Sequence, residues 1–193
     1  MSKKDLSKKD LNEQTIIFPE SEIKYLYACG DENRAIAKFF EYKNEHKNRY
    51  LKKIKVYADC KKEEAEFKIN ICDLNSNNEP GLIVHEEKLT AKEGSHWIEK
   101  DIINAKIVIP KNGLFLVVDW IKSKENKNEV KSLRRNGEMK LQISFEPSIG
   151  SIPSTKNDTW LMLNGKWKKD EIINLPLAKY RGSYSDLAIE LEF

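Results

Sequence analysis

The chain is poor in the residues from which most catalytic and metal sites are made. Its three histidines, His46, His85 and His96, stand in no HExxH, nucleophile-elbow or CxxC-type setting, which removes the common signatures of metalloproteases, serine hydrolases and redox dithiols. Glycine occurs only eight times and forms no phosphate-cradling loop. Three cysteines, Cys29, Cys60 and Cys72, leave at least one unpaired within the chain. No apolar run approaches the ~20 residues of a helical membrane span. Charge of one sign is scarce too. The 34 basic and 31 acidic residues leave a net charge of +3 and are interspersed, which argues against nucleic acid as a partner.

What the chain does have is a succession of short apolar segments punctuated by turns, without a long amphipathic helix between them. Residues 107–120 read as strand, a Pro/Asn/Gly turn, then an almost wholly apolar strand, and similar punctuation runs from about residue 34 to Phe193. The pattern predicts an all-β protein, an antiparallel β-sandwich of jelly-roll-like form. All-β sandwiches of about 200 residues are common as single units, so residues 15–193 are expected to form one domain. Residues 1–14 carry a direct repeat, Ser2-Lys-Lys-Asp-Leu6 and Ser7-Lys-Lys-Asp-Leu11, with no apolar h-region behind its lysines. They read as a flexible N-terminal tail. That start fits either a cytoplasmic protein or a mature form whose signal has been removed.

Alternation sets the faces of the strands. A hairpin around residues 61–64 would pair Ile54 with Ile71, Val56 with Ile69 and Ala58 with Phe67. These six apolar side chains then share one face, and a one-residue slip would scatter them. In that arrangement Cys60 points to the core and Cys72 to the opposite face, so the two are not bridged and act as small buried hydrophobes. Met139, Leu141, Ile143 and Phe145 alternate with polar residues, as do Leu187, Ile189, Leu191 and Phe193, and read as strands wet on one face. Leu114 to Ile121 is apolar on both faces and must be central and covered twice, by the segment Ile16-Ile-Phe18 or by another domain. The charged stretch 122–138 reads as a long, disordered loop.

One further pattern lies in the order of segments. Lys52-Lys-Ile-Lys-Val-Tyr57, Phe67-Lys-Ile-Asn-Ile71 and Asn78-Glu-Pro-Gly-Leu82 are followed by Trp97-Ile-Glu-Lys-Asp-Ile102 and Ile107-Val-Ile-Pro110. Gly113-Leu-Phe-Leu-Val-Val-Asp-Trp120 and Asn164-Gly-Lys-Trp167 complete the series. From about Ala35 to Phe193 this resembles the β-sandwich module of uncharacterised exported bacterial proteins that often follows a carboxypeptidase regulatory-like (transthyretin-like) domain. The resemblance implies a sandwich fold, a periplasmic or cell-envelope setting and no assigned activity. The chain departs from that pattern in lacking the preceding regulatory-like domain and a signal peptide.

Three constellations carry chemistry. Asp119 interrupts an apolar face; it reads either as a buried carboxylate fit for proton transfer or as a solvated or lysine-paired one. If residues 82–89 paired with 96–103, His85 would face Asp101 and Glu87 would face Glu99, a surface that is either an oxygen-rich cation site or a lysine-balanced acidic face. The Asn164-Gly165 turn gives the third, since it pairs Met162 with Trp167 and sets Trp160 beside them. That cluster either plugs the core or forms a platform on which sugar rings stack, which Tyr180 and Tyr184 would extend. The expectation is therefore a non-catalytic accessory or protein-interaction module with no cofactor and no assigned catalytic or metal residue. The alternative is a carbohydrate-binding module using Trp160, Trp167, Tyr180 and Tyr184.

Overall fold

The protein is represented by a computed structural model that describes residues 20–23, 25–30, 34–133, 139–171 and 182–193. These residues form eleven antiparallel strands and three short 3-10 turns, with no α-helix among them. In chain order the strands are β1 (Tyr25–Cys29), β2 (Arg34–Phe40), β3 (Lys53–Leu74), β4 (Pro80–Asp101) and β5 (Leu114–Trp120). They continue with β6 (Lys127–Leu133), β7 (Met139–Ser154), β8 (Thr159–Leu163), β9 (Lys166–Lys169), β10 (Tyr184–Leu187) and β11 (Ile189–Glu192).

All eleven belong to one sheet, and that sheet curls into an antiparallel β-sandwich. Curling is built into β3 and β4, two 22-residue strands that pair along their whole length. Opposite Gly94, whose φ of +96° suits glycine, the register jumps from Cys60 to Glu64. The strands bend there, and each half joins a different layer. The second half of β3 pairs with β5, which leads through β2 to β8 and β9. The first half pairs with β11 and touches β7, which also carries β1, β6 and β10.

The core lies between these layers. Ile54, Val56 and Ala58 from one side of the bend and Phe67, Ile69 and Ile71 from the other are all fully buried, together with Leu116, Val118, Ile149, Leu187 and Ile189. The expected face is therefore correct, and the expected hairpin at residues 61–64 is not. Those residues, Lys-Lys-Glu-Glu, supply no turn chemistry and stay within one bent strand. The real turn lies at residues 75–79, where Asn78 has φ +59° and the Asn75 side chain accepts hydrogen bonds from the backbone of Asn77 and Glu79 at 2.8 and 3.0 Å. Cys29 and Cys60 join the main core and Cys72 the opposite face, and all three are buried free thiols. Burial pushes the Cys72 thiol up to about 11.

β5 is the central strand expected from its two apolar faces. Leu114, Leu116, Val118 and Trp120 enter the main core, and the Trp120 indole N–H donates to the Pro147 carbonyl at 2.6 Å. Phe115 and Val117 form a second cluster with Ala35, Ala37 and Cys72, flanked by Phe39, Trp160, Met162 and Trp167. Ile16 to Phe18, the cover suggested by the sequence, lie outside the described residues, as do residues 1–14. Two other expectations are corrected. Residues 127–133 are not a loop but the strand β6, hydrogen-bonded to β7 from Lys127–Phe145 to Leu133–Met139. Its alternation is not apolar because both faces are wet, and for the same reason Met139 and Leu141 are exposed. The regular alternation over residues 187–193 is broken at Ala188, whose N–H reaches Gly150 as the chain crosses from β7 to β3, so Leu187, Ala188 and Ile189 are all buried.

The sides of the sandwich, where the two layers part, are closed by ions. On one side Lys38 from β2 reaches Asp186 of β10 at 3.0 Å and the Leu187 carbonyl at 2.8 Å. On the other, Glu87 accepts from Lys100 at 3.1 Å, although both belong to β4 and stand thirteen residues apart in the sequence. Only the bend brings them together.

Candidate functional site

The metal arrangement expected from residues 82–103 does not form, because β4 is one strand and not a hairpin. His85 lies opposite Ile71, Glu87 opposite Ile69, Glu99 opposite Lys55 and Asp101 opposite Lys53. Each has a protein partner. His85 Nε2 bonds Glu87 Oε1 at 2.9 Å, Glu99 meets Lys53 at 2.7 Å and Lys55 at 3.5 Å, and Asp101 accepts from the Ile103 N–H at 3.0 Å. Burial would raise the Glu87 carboxyl, but its bonds to Lys100 and His85 outweigh that and hold it below the usual range. Among the described residues no group of three His, Cys, Asp or Glu side chains is placed to hold a metal ion.

Asp119 is half-buried at the end of β5, opposite Ala35 on one neighbour and Lys68 on the other. Burial pushes its carboxyl up, Lys68 and Lys122 pull it down, and Glu86 adds to the rise. Burial outweighs the lysines and holds the carboxyl above its usual range, while Lys68 itself pairs with Glu86 at 3.0 Å.

The aromatic hairpin is built as the sequence predicts. Asn164 and Gly165 take φ +52° and +75°, the positive values a type I′ turn requires, and Met162 lies opposite Trp167. Trp160 and Trp167 are half-buried, and neither plugs the main core. They flank the second cluster on the outer face of their layer, Trp160 meeting the Phe115 ring edge-on at 5.8 Å. Lys169 Nζ stands 5.5 Å over the Trp160 ring and takes one position where a sugar would stack. Tyr184 is in β10, opposite Ser154 of the other layer, and makes no ring contact with either tryptophan. Tyr180 lies outside the described residues.

Sequence reasoning missed a second surface. At the start of β4, Leu82, Ile83 and Val84 are consecutive and exposed, Leu82 by 76%. They adjoin a cleft lined by Cys72, Asp73, Val84, Ile107, Val108, Pro110 and Leu114, apolar but for Asp73. Two register shifts, around Cys72, interrupt the pairing of this stretch with β3. Among the described residues β4 pairs with β3 alone, so its other edge presents backbone N–H and C=O groups. The run Leu-Ile-Val was a readable signal; that it belongs to an edge was not.

No protein-family model matches the chain, and no curated protein matches it. Among solved structures, the fold is similar at a TM-score of 0.46 and 12% sequence identity to the cysteine protease and lectin-like domains of Cwp84, a surface layer associated protein of Clostridium difficile. That match covers 90% of this chain and 36% of the other, so the chain spans about a third of the length of the protein it resembles.

Proposed function

We propose that this chain acts by binding and not by catalysis, as an accessory module of a bacterial envelope assembly that holds an extended segment of a partner protein along β4. The carrying observation is the coincidence of an open strand edge with exposed Leu82, Ile83 and Val84 beside an apolar cleft. An added strand gains affinity from main-chain hydrogen bonds and specificity from pockets for alternate side chains. Here the unbulged stretch from His85 to Lys92 offers the first and the cleft offers the second. The envelope setting rests on the resemblance in segment order.

Selection of displayed peptides on the wild-type protein, with counter-selection on Leu82→Asp/Val84→Asp, tests this reading. Both side chains are exposed, so the variant should keep its melting temperature. Enrichment of extended, alternately apolar peptides that bind wild type and not the variant supports strand addition. Peptides that bind both equally refute it.

A second reading has one observation in its favour, the neighbouring half-buried Trp160 and Trp167 on one face of a tight hairpin. A neutral glycan stacking there would displace Lys169 and shift tryptophan emission when soluble polysaccharides are titrated in. Trp167→Ala would abolish that shift while leaving the fold intact. Unchanged emission in the wild type rejects the glycan reading.

A further inference from the structure

We propose that the ribbon formed by β6 and the first half of β7 docks the protein onto an anionic lipid surface. Among the described residues β6 pairs with β7 alone and β7 from Met139 to Ser144 with β6 alone, so the two strands leave the sandwich together. Along one face an apolar row runs out from the core. Phe145 is 8% exposed, Ile143 half-buried, Leu141 48% exposed and Met139 62% exposed. Val130, 47% exposed, adds an aliphatic group to the opposite face.

Charge is concentrated on this ribbon and on the turn that leads into it. Over residues 122–133 and 139–145, Lys122, Lys124, Lys127, Lys131 and Lys140 stand against Glu125 and Glu129. That surplus of three equals the net +3 of the entire chain; on the ribbon itself Lys127, Lys131 and Lys140 stand against Glu129, which pairs with Lys127 at 2.5 Å. Register then mixes the two chemistries. Lys131 lies directly opposite Leu141, which puts an ammonium and an aliphatic group side by side on the face that carries Met139.

The ribbon is also held in a fixed direction at its base. The buried Asn126 side chain donates to the carbonyls of Glu66 and Ile121 at 2.6 and 2.7 Å and accepts from the Glu66 N–H at 3.1 Å. Beside it the buried Glu146 accepts from Asn128 of β6 at 3.3 Å, and its own N–H donates to the Asn126 carbonyl at 2.9 Å. Such a network orients the two strands as a unit.

Lys140 lies on the opposite face beside Ser132, so a partner for the ribbon as a whole must be negative at its surface and apolar just beneath it. An anionic bilayer has both properties in that order, with headgroups to meet the lysines and acyl chains to receive Met139 and Leu141. A nucleic-acid backbone supplies the charge but no apolar layer. With so few aliphatic groups the attachment is reversible and depends on lipid composition.

The test is cosedimentation of the full chain with vesicles of phosphatidylcholine, alone or mixed equally with phosphatidylglycerol. Binding should be at least about tenfold stronger to the anionic vesicles and weaken in high salt. Lys131→Glu should lower it by about fivefold or more, and Met139→Ser/Leu141→Ser by about tenfold, with melting temperature unchanged. Leu82→Asp/Val84→Asp should bind vesicles as wild type does, which separates this surface from the β4 edge. Equal binding to both vesicle types, or no binding to either, overturns the proposal. So does a serine variant that binds as wild type does, or duplex DNA that binds more tightly than the anionic vesicles. Should the serine pair fail to fold, the vesicle comparison and Lys131→Glu decide the matter alone.

Discussion

Replacing Lys38 with methionine tests how the sandwich is held shut between β2 and β10. The lysine side chain is 9% exposed and that of Asp186 16%. Its ammonium donates to Asp186 at 3.0 Å and to the Leu187 carbonyl at 2.8 Å, and lies 5.5 Å from the Phe40 ring. Methionine keeps the length of the stem but leaves the carboxylate without this cation. Nearby Asp158, whose carboxyl burial and Asp186 already push up, feels the same loss. Removing one member of a buried pair costs roughly 3–5 kcal/mol, and the lower end applies because Asp186 keeps some contact with water. A loss of ~3 kcal/mol corresponds to a fall of about 6–12 °C in Tm for a chain of this size. Urea unfolding of Lys38→Met, Asp186→Leu and the double variant should show strong coupling, the double variant recovering to within ~1 kcal/mol of wild type because neither member of the pair is left without the other and Asp158 is relieved of the Asp186 charge. Purely additive losses, or a Lys38→Met variant within ~0.5 kcal/mol of wild type, would refute the idea that an ion pair closes this side.

Two glycines with the same backbone hand should respond differently to alanine. At Gly113 (φ +85°) an added Cβ would lie 2.4 Å from the Phe39 ring and 2.8 Å from the Phe40 carbonyl, so Gly113→Ala should cost roughly 2–4 kcal/mol. At Gly94 (φ +96°) nothing lies within 4 Å, and Gly94→Ala should cost only the strain of about 1 kcal/mol, both read from chemical denaturation. His46 predicts a pH dependence. Its ring stacks on Phe193 at 4.4 Å and its Nδ1 accepts from the Lys43 N–H at 3.1 Å, a bond that protonation of Nδ1 destroys. Burial lowers its pKa from 6.5, with Glu45 opposing and Lys43 and Arg49 assisting, so the folded state binds fewer protons than the unfolded. The stability it contributes is present above pH 6.5 and is lost as pH falls below that, and His46→Gln should remove this part of the urea-midpoint change between pH 7.5 and 5.

The faces of the strands were legible in the sequence because alternation is a local property. Ile54, Val56, Ala58, Phe67, Ile69 and Ile71 are buried together as their spacing requires. Their pairing was not legible, since a hairpin at residues 61–64 and a single strand bent there bury the same six side chains. Turn chemistry separates the two. Residues 61–64 contain no Gly, Asn, Asp or Pro, whereas residues 75–81 contain three Asn, a Pro and a Gly. The same distinction applies at residues 90–95, where Gly94 marks a bend within β4 and not a loop. In the aromatic hairpin the turn signal and the alternation agree, and there the register was read correctly. β6 escaped notice for another reason. A ribbon wet on both faces needs no apolar alternation, so its composition resembles that of a loop.

Mistaking the bend for a turn also hid the outer edge of β4, on which the proposed binding rests. Because β3 and β4 curl as a pair, β4 is an edge in both layers among the described residues, and an open strand side of this kind invites pairing. Most of that length is guarded by charge. Glu86 pairs with Lys68, Lys88 with Glu66, Glu99 with Lys53 and Lys100 with Glu87, which fixes ionic side chains along the strand and opposes association through its edge. At Leu82, Ile83 and Val84, three exposed apolar residues in sequence, no such ion pair stands along the strand. If the edge were merely tolerated, lysine or glutamate would serve there as well as elsewhere, because these side chains contribute little to the core. On the proposed reading, a partner strand would pair where exposed aliphatic side chains meet the apolar cleft, and the ion pairs at residues 86–88 and 99–100 would oppose pairing there.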